Sequence, residues 1–294
     1  MLSKLTPSLT YKIWGGVKLS EFKNTPSNPL PLGETWEISS LQSGPSKIAD
    51  KKLNEICELK YLLKFIDTSD NLSIQVHPGD EYAKEHENSS GKTECWIILE
   101  AQEGAGIYLG FKKGITKKEF KTAVENSLDV QNFLNFIPVK SGDYFYVPHG
   151  SVHAIGKGIT LCEAQQNSGV TYRVWDWNRL DKNGVGRELH IDKAMDVLNF
   201  GNDFNQTLIQ NKNIYNAKLV QNIITHKDFK SDLLTLPKDV EREIKLSPKE
   251  GISILEGEVL IDGERYSKFD SGIALGEVIV KVKPLSDSRI LTII

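Results

Sequence analysis

Gln75 and His77 stand two residues apart in Ser73-Ile74-Gln75-Val76-His77-Pro78. On a strand, side chains two apart point to the same face. Further along, Glu94 opens the apolar run Glu94-Cys95-Trp96-Ile97-Ile98, and His153 follows the turn Pro148-His149-Gly150. Two imidazoles, a carboxylate and a carboxamide are all able to ligate a divalent ion, and mixed nitrogen and oxygen donors suit zinc. Donors spread over three segments cannot form a local finger. They need a β scaffold that brings distant strands together.

A lone histidine near a strand is more often a hydrogen-bonded structural residue than a ligand. Here, however, Glu94 begins an apolar strand, where an unpaired carboxylate is expensive to bury. A shared cation would account for Glu94 and both histidines at once. His149 competes with His153, four residues later. Helical spacing would align the two, but Pro148 and Gly150 oppose a helix, so His153 is taken as the ligand and His149 as a turn residue. His86, His190 and His226 lie in polar surroundings and read as surface or structural residues.

Charged residues form a second constellation. Lys64 interrupts the apolar run Leu62-Leu63-Lys64-Phe65-Ile66, Lys92 precedes Glu94 by two, and Arg173 lies between Tyr172 and Val174-Trp175. Each has an ordinary structural use. Lys64 fits the solvated face of a strand, and Arg173 fits a cation–π or carboxylate contact within a sheet. Together they also suit a clamp on an anionic substrate near a metal. Glu163, in Ile159-Thr160-Leu161-Cys162-Glu163-Ala164-Gln165, fits an outward strand position or a proton-transfer group.

The elements that must carry these residues are mainly strands. Glu34 to Ser40 alternates like a strand, and Gly15-Gly16 is expected to turn. Leu62 to Val76 is strand-like apart from Asp67 to Asn71, and a short helix is expected over Asp80 to Glu87. Between residues 115 and 136 the pattern becomes helical, with Thr116 and Glu119 spaced as a capping box. Asp192 to Asn199 is also helix-like. From Tyr215 onward, short glycine-bounded strands suggest a sandwich or barrel. That stretch contains one histidine, His226, and no ligand cluster.

A chain of 294 residues can hold one large domain or two modest ones. Its net charge of −3 argues against nucleic acid or an anionic membrane as partner. Cys57, Cys95 and Cys162 are odd in number and lack finger spacing, which suits a reduced chain. The N-terminus has no apolar h-region, and no apolar run reaches the ~18 residues of a membrane span. A cytoplasmic location is the expectation.

Gln75-Val76-His77-Pro78, Gly91-Lys92-Thr93-Glu94, Pro148-His149-Gly150-Ser151-Val152-His153-Ala154 and Arg173-Val174-Trp175-Asp176 resemble type I phosphomannose isomerases. Trp14-Gly15-Gly16 and Gly33-Glu34-Thr35-Trp36-Glu37-Ile38-Ser39 also fit this family, so the likeness spans residues 10–200. It implies a mainly β fold of two cupin-like jelly-roll barrels with a small helical insertion, the short bacterial form. A metal-binding catalytic domain would cover 1–200, a linker 201–214, and a second cupin-like domain without ligands 215–294. The resemblance implies one zinc ion per chain on Gln75, His77, Glu94 and His153. It makes Lys64, Lys92 and Arg173 substrate-binding, and Arg173, Lys92 and Glu163 catalytic.

The implied reaction interconverts mannose 6-phosphate and fructose 6-phosphate through an enediol. Glu163, Lys92 and a water on the metal are alternative bases. The expected partner is the sugar phosphate alone, with a monomer or small homo-oligomer as the assembly. A non-catalytic sugar-phosphate sensor and a cupin oxygenase are the alternatives. The oxygenase needs only His77, Glu94 and His153, whereas the basic cluster favours a phosphosugar enzyme.

Overall fold

Alternation along three short strands, broken only by a register shift between Arg173 and Trp175, separates the chemically active residues from the core. Ile74, Val76, Val152, Ala154, Tyr172 and Val174 belong to one buried hydrophobic cluster. Gln75, His153 and Arg173 are the residues between them and project from the opposite face. The computed structural model from which this follows describes residues 1–25, 28–180, 183–210, 212–216 and 219–294. Strands make up 44% of the chain and helices 16%, so the protein is mainly β.

The chain divides into two compact units, one formed by Thr68–Thr160 and Ser168–Lys212. Its five-stranded antiparallel sheet has the order Leu134–Pro138, Gly106–Phe111, His153–Ile155, Ile74–Val76, Tyr172–Trp175. A further antiparallel pair joins Glu94–Ala101 to Asp143–Val147, with Val147 opposite Glu94. The helix Lys117–Glu125 starts at the expected capping box: the Glu119 N–H donates to Thr116 Oγ1 (3.3 Å), and the Thr116 N–H donates to Glu119 Oε2 (3.1 Å). Phe120, Ala123 and Val124, at helical spacing, are buried from that start. The Phe120 ring lies 4.8 Å from that of Phe111. Burial of a side chain of this size stabilises by roughly 1.5–3 kcal/mol. The helix Asp80–Glu87 has the bounds expected from the sequence, with Asp80 and Glu81 in its first turn and Asn88 left-handed at its end.

The second unit comprises Met1–Asp67, Leu161–Asn167 and Asn213–Ile294. The strand Leu2–Lys4 runs antiparallel to Ser271–Ala274, with Leu2 opposite Ala274. Around this pair, Leu2, Ile252, Ile254, Val280 and Ile290 share a core. Leu32–Ile38 pairs on one side with Ser8–Gly16 and on the other with Tyr61–Asp67, placing Trp36 opposite Lys64. The stretch after residue 215 therefore shares its sheet and its core with the N-terminus, whereas the sequence predicts a separate domain over 215–294. The cause is pairing between strands at opposite ends of the chain, which local patterns do not reveal.

Two other expectations differ from the structure. The polar stretch 201–214, which reads as a linker, contains the helix Asn202–Leu208; Asn211 lies outside the described residues. Buried Asn205 ties it down: its Oδ1 accepts the Phe111 N–H (2.8 Å), and its Nδ2 donates to the carbonyls of Asn199 (3.0 Å) and Gly201 (2.8 Å). Polarity there is spent inside the unit, not on solvent. Gly15 and Gly16 end a strand and do not turn. Among the described residues, no helix is long and apolar enough to cross a membrane.

Gly15 is required by a close approach of two backbones. A Cβ there would lie 2.7 Å from both the Pro31 carbonyl oxygen and the Gly33 nitrogen. Gly15→Ala should therefore cost roughly 1–3 kcal/mol in urea unfolding. Gly169 is the control, because a Cβ at that position would meet nothing within 4 Å. Gly169→Ala should stay within about 0.5 kcal/mol of the parent. Equal midpoints for the two variants would refute the close approach.

Candidate metal centre

The register of the five-stranded sheet aligns three of the expected residues. Gln75 lies opposite His153 on one neighbouring strand and opposite Arg173 on the other. His77 follows Gln75 by two, and Glu94 begins its own strand. Ligating atoms of His77, Glu94 and His153 all lie within 4.8 Å of one another. Each of the three residues is only 1% exposed. His77 Nε2 is 3.1 Å from Glu94 Oε1, and His153 Nε2 is 3.8 Å from Glu94 Oε2.

Main-chain carbonyls set the tautomers. His77 Nδ1 is 2.8 Å from the Val170 oxygen, and His153 Nδ1 is 3.0 Å from the Ser151 oxygen. A carbonyl only accepts, so each Nδ1 carries a proton and each Nε2 turns its lone pair toward Glu94. Burial, followed by the charge of Lys92, pulls His77 down to about 3. Burial also lowers His153. Both rings are thus neutral at ordinary pH, the state a metal ligand needs. Burial alone would raise Glu94, but the charge of Lys92 beside it outweighs burial and holds the carboxyl well below its usual range.

Lys92 completes the group. Its Nζ lies 2.6 Å from Glu94 Oε1 and 3.1 Å from His77 Nε2, so these donors already hold a cation between them. The Gln75 amide nitrogen is 3.3 Å from His153 Nε2. A half-turn of that amide presents its oxygen to the same place. Two neutral imidazoles, one ionised carboxylate and an adjacent carboxamide form a donor set that fits a divalent ion. Glu94 Oε2 also accepts the Trp96 indole N–H (3.1 Å), which fixes the carboxylate plane. His149 is exposed and stands apart from this set, its N–H donating to Thr93 Oγ1 (3.3 Å). Among the described residues, Cys57, Cys95 and Cys162 form no disulfide.

Lys64 and Glu163 are both buried, so neither occupies the solvated strand face that their positions also allowed. Lys64 Nζ lies 2.9 Å from Glu163 Oε1 and 3.4 Å from Glu34 Oε2. The Trp36 indole donates to Glu34 Oε2 (2.7 Å), and the Lys64 ammonium sits 5.9 Å from the centre of the Trp36 ring. In the sequence, Glu34 and Trp36 stand out as members of an alternating strand and of a family-like motif, with no role of their own. Their two-residue spacing points to a shared face.

Arg173 has a different setting. Its Nη1 donates to the Glu188 carbonyl (2.7 Å), while Nε is buried without a hydrogen-bond partner among the described residues. Nearby, Asp176 is 5% exposed and accepts from two arginines. Arg187 donates through Nε to Oδ2 (2.7 Å) and through Nη2 to Oδ1. Arg179 donates to Oδ1, and its Nη1 reaches Asp70 Oδ2 (3.0 Å) and the Asn71 carbonyl (2.7 Å). The intervening turn holds Trp177 and Asn178 at φ of 58° and 53°. A bulky residue in this left-handed region costs on the order of 1–3 kcal/mol. Sequence patterns point to Asp176 only as part of a motif, and to Arg179 and Arg187 not at all.

No protein-family model matches the chain. Over 214 residues it is 43% identical to the mannose-6-phosphate isomerase of Streptococcus mutans, an alignment covering 67% of each protein. It is 41% identical over 212 residues to the mannose-6-phosphate isomerase ManA of Bacillus subtilis, covering 65% of this chain and 66% of that one. The crystal structure of the mannose 6-phosphate isomerase from Bacillus subtilis matches with a TM-score of 0.83 at 28% identity, covering 100% of this chain and 99% of that chain. Relatives at this identity over two thirds of their length, together with that shared fold, establish that the chain belongs to the mannose-6-phosphate isomerase family.

Proposed function

We propose that this protein is a zinc-dependent isomerase that interconverts mannose 6-phosphate and fructose 6-phosphate. The observation that carries the proposal is the buried set His77, Glu94 and His153, with both imidazoles neutral and their lone pairs converging. These three hold the zinc, with Gln75 joining through its amide oxygen. When bound, zinc supplies positive charge to the substrate oxygens on the two carbons that exchange a proton.

The remaining work falls to side chains. A proton leaves C2 of the aldose and returns to C1, so a base must sit near both carbons. We give that role to Glu163, a buried carboxylate whose Oε1 lies 2.9 Å from Lys64 Nζ. Lys92 is the alternative, and its contact with Glu94 makes it the cation nearest the ligand set. Lys64 and Lys92 bind substrate oxygens. Arg173, with a buried Nε still open for a bond, binds and orients the developing negative charge. Residues 215–294 contribute no cluster of metal-ligating side chains among the described residues, and we give them a structural role.

Isomerase turnover measured before and after chelation tests the central claim. Activity should vanish with the metal and return with added zinc. His77→Ala should lose both zinc and turnover, while Cys95→Ser should keep about one zinc per chain. Full turnover in protein shown to be metal-free would sink the zinc role, and lack of turnover in zinc-replete protein would sink the reaction.

Arg173→Lys tests the second constellation. Lysine keeps the charge but loses the planar fork. If Arg173 acts on charge that develops in the transition state, kcat should fall roughly a hundredfold with KM little changed. A lower Tm with unchanged kcat/KM would make Arg173 a sheet element only.

A further inference from the structure

We infer that Asp176 and Arg187 form a clamp that aims Arg173, which makes both of them positioning residues for the isomerisation. The inference rests on the role proposed above for Arg173. The Arg173 guanidinium is anchored by the main-chain carbonyl of Glu188. That carbonyl is in place only while residues 187–190 lie along the strand Tyr172–Trp175. Two bonds lay them there: the His190 N–H donates to the Arg173 carbonyl (2.8 Å), and the Arg173 N–H donates to His190 Nδ1 (3.2 Å).

At the near end of this strap, Arg187 forks onto Asp176, three residues beyond Arg173. A two-point guanidinium–carboxylate contact fixes direction as well as distance, which a single bond does not. Glu188, the next residue, inherits that placement. Asp176 Oδ1 also accepts from Arg179, whose Nη1 reaches Asp70 and the Asn71 carbonyl. The strained turn between them is pinned by the Trp177 indole, which donates to the Leu72 carbonyl (2.7 Å), and by the Trp175 indole, which donates to Asn178 Oδ1 (3.1 Å). Strain of this kind persists where surrounding contacts over-determine a geometry, and such places cluster at working sites. Charge links the pair as well: burial first, and then the positive charge of Arg187, act against the Arg173 cation. The clamp therefore sets both where Arg173 points and the field it sits in.

The test is a double-mutant cycle on the full-length, zinc-loaded protein, with kcat, KM for mannose 6-phosphate, Tm and zinc content measured for each variant. Arg187→Ala is chosen because Asp176 keeps Arg179 as a partner, whereas Asp176→Asn would strand two guanidinium charges. Arg187→Ala should lower kcat roughly tenfold with zinc content unchanged, and Arg187→Lys, which lacks the fork, should restore only part of it. In an Arg173→Ala background, removing Arg187 should have no further effect on kcat. Additive losses, or a rise in KM that persists in that background, would mean that Arg187 acts on its own, and would overturn the clamp while leaving the role of Arg173 intact. Full turnover in Arg173→Ala would instead remove the role of Arg173, and with it the clamp.

Discussion

A carboxylate taken out of water must be met by positive charge or by donors that replace its hydration. Glu94 is the point where this constraint is most severe. It sits 1% exposed at the head of an apolar strand, where the Lys92 ammonium lies against one oxygen and the Trp96 indole donates to the other. Stripping one partner from a buried pair of this sort typically costs about 3–5 kcal/mol. The unit around Glu94 is arranged to supply those partners. Its sheet register, its two carbonyl-fixed imidazoles and its flanking lysine all converge on one carboxylate.

That convergence depends on the two-residue period of a strand. Ile74, Val76, Ala154 and Val174 fill the core, and the residues between them are thereby forced to the opposite face. A one-residue slip of Ile74–Val76 would bury Gln75 among Phe111, Phe120 and Trp175 and turn Ile74 and Val76 outward. The hydrophobic cluster and the ligand set thus fix the same register, each from its own side of the sheet. Helix Lys117–Glu125 contributes at a distance, since Phe120 and Val124 cover the apolar side on which that register depends.

The charged groups of the other unit follow the same rule with a different outcome. Lys64 is buried between Glu163 and Glu34, with the Trp36 ring beside it. Two carboxylates thus surround one ammonium, which meets both within 3.4 Å. Around Asp176 the balance is reversed, with two guanidinium groups on one carboxylate and Arg173 close by. The protein thus keeps one buried cluster with carboxylates in excess and another with guanidinium groups in excess.

Residue type and short spacing are enough to single out Gln75, His77, Glu94 and His153, because alternation and donor chemistry are local properties. The helix Asp80–Glu87 and the capping box at Thr116 are legible for the same reason: each is decided within one or two turns of chain. Burial is not legible for Lys64 and Glu163, since a strand pattern does not say whether its second face meets water or another layer. Gly15 looks like a turn residue because the backbone it must approach, at Pro31 and Gly33, is joined to it only by strand pairing. The clamp on Asp176 is invisible in the sequence because Arg179 and Arg187 reach it around a left-handed turn that no periodicity describes. Sequence alone determined which side chains could do the chemistry. Tertiary structure decided which of them meet, because charge neutralisation and backbone contact depend on distances that long-range strand pairing sets.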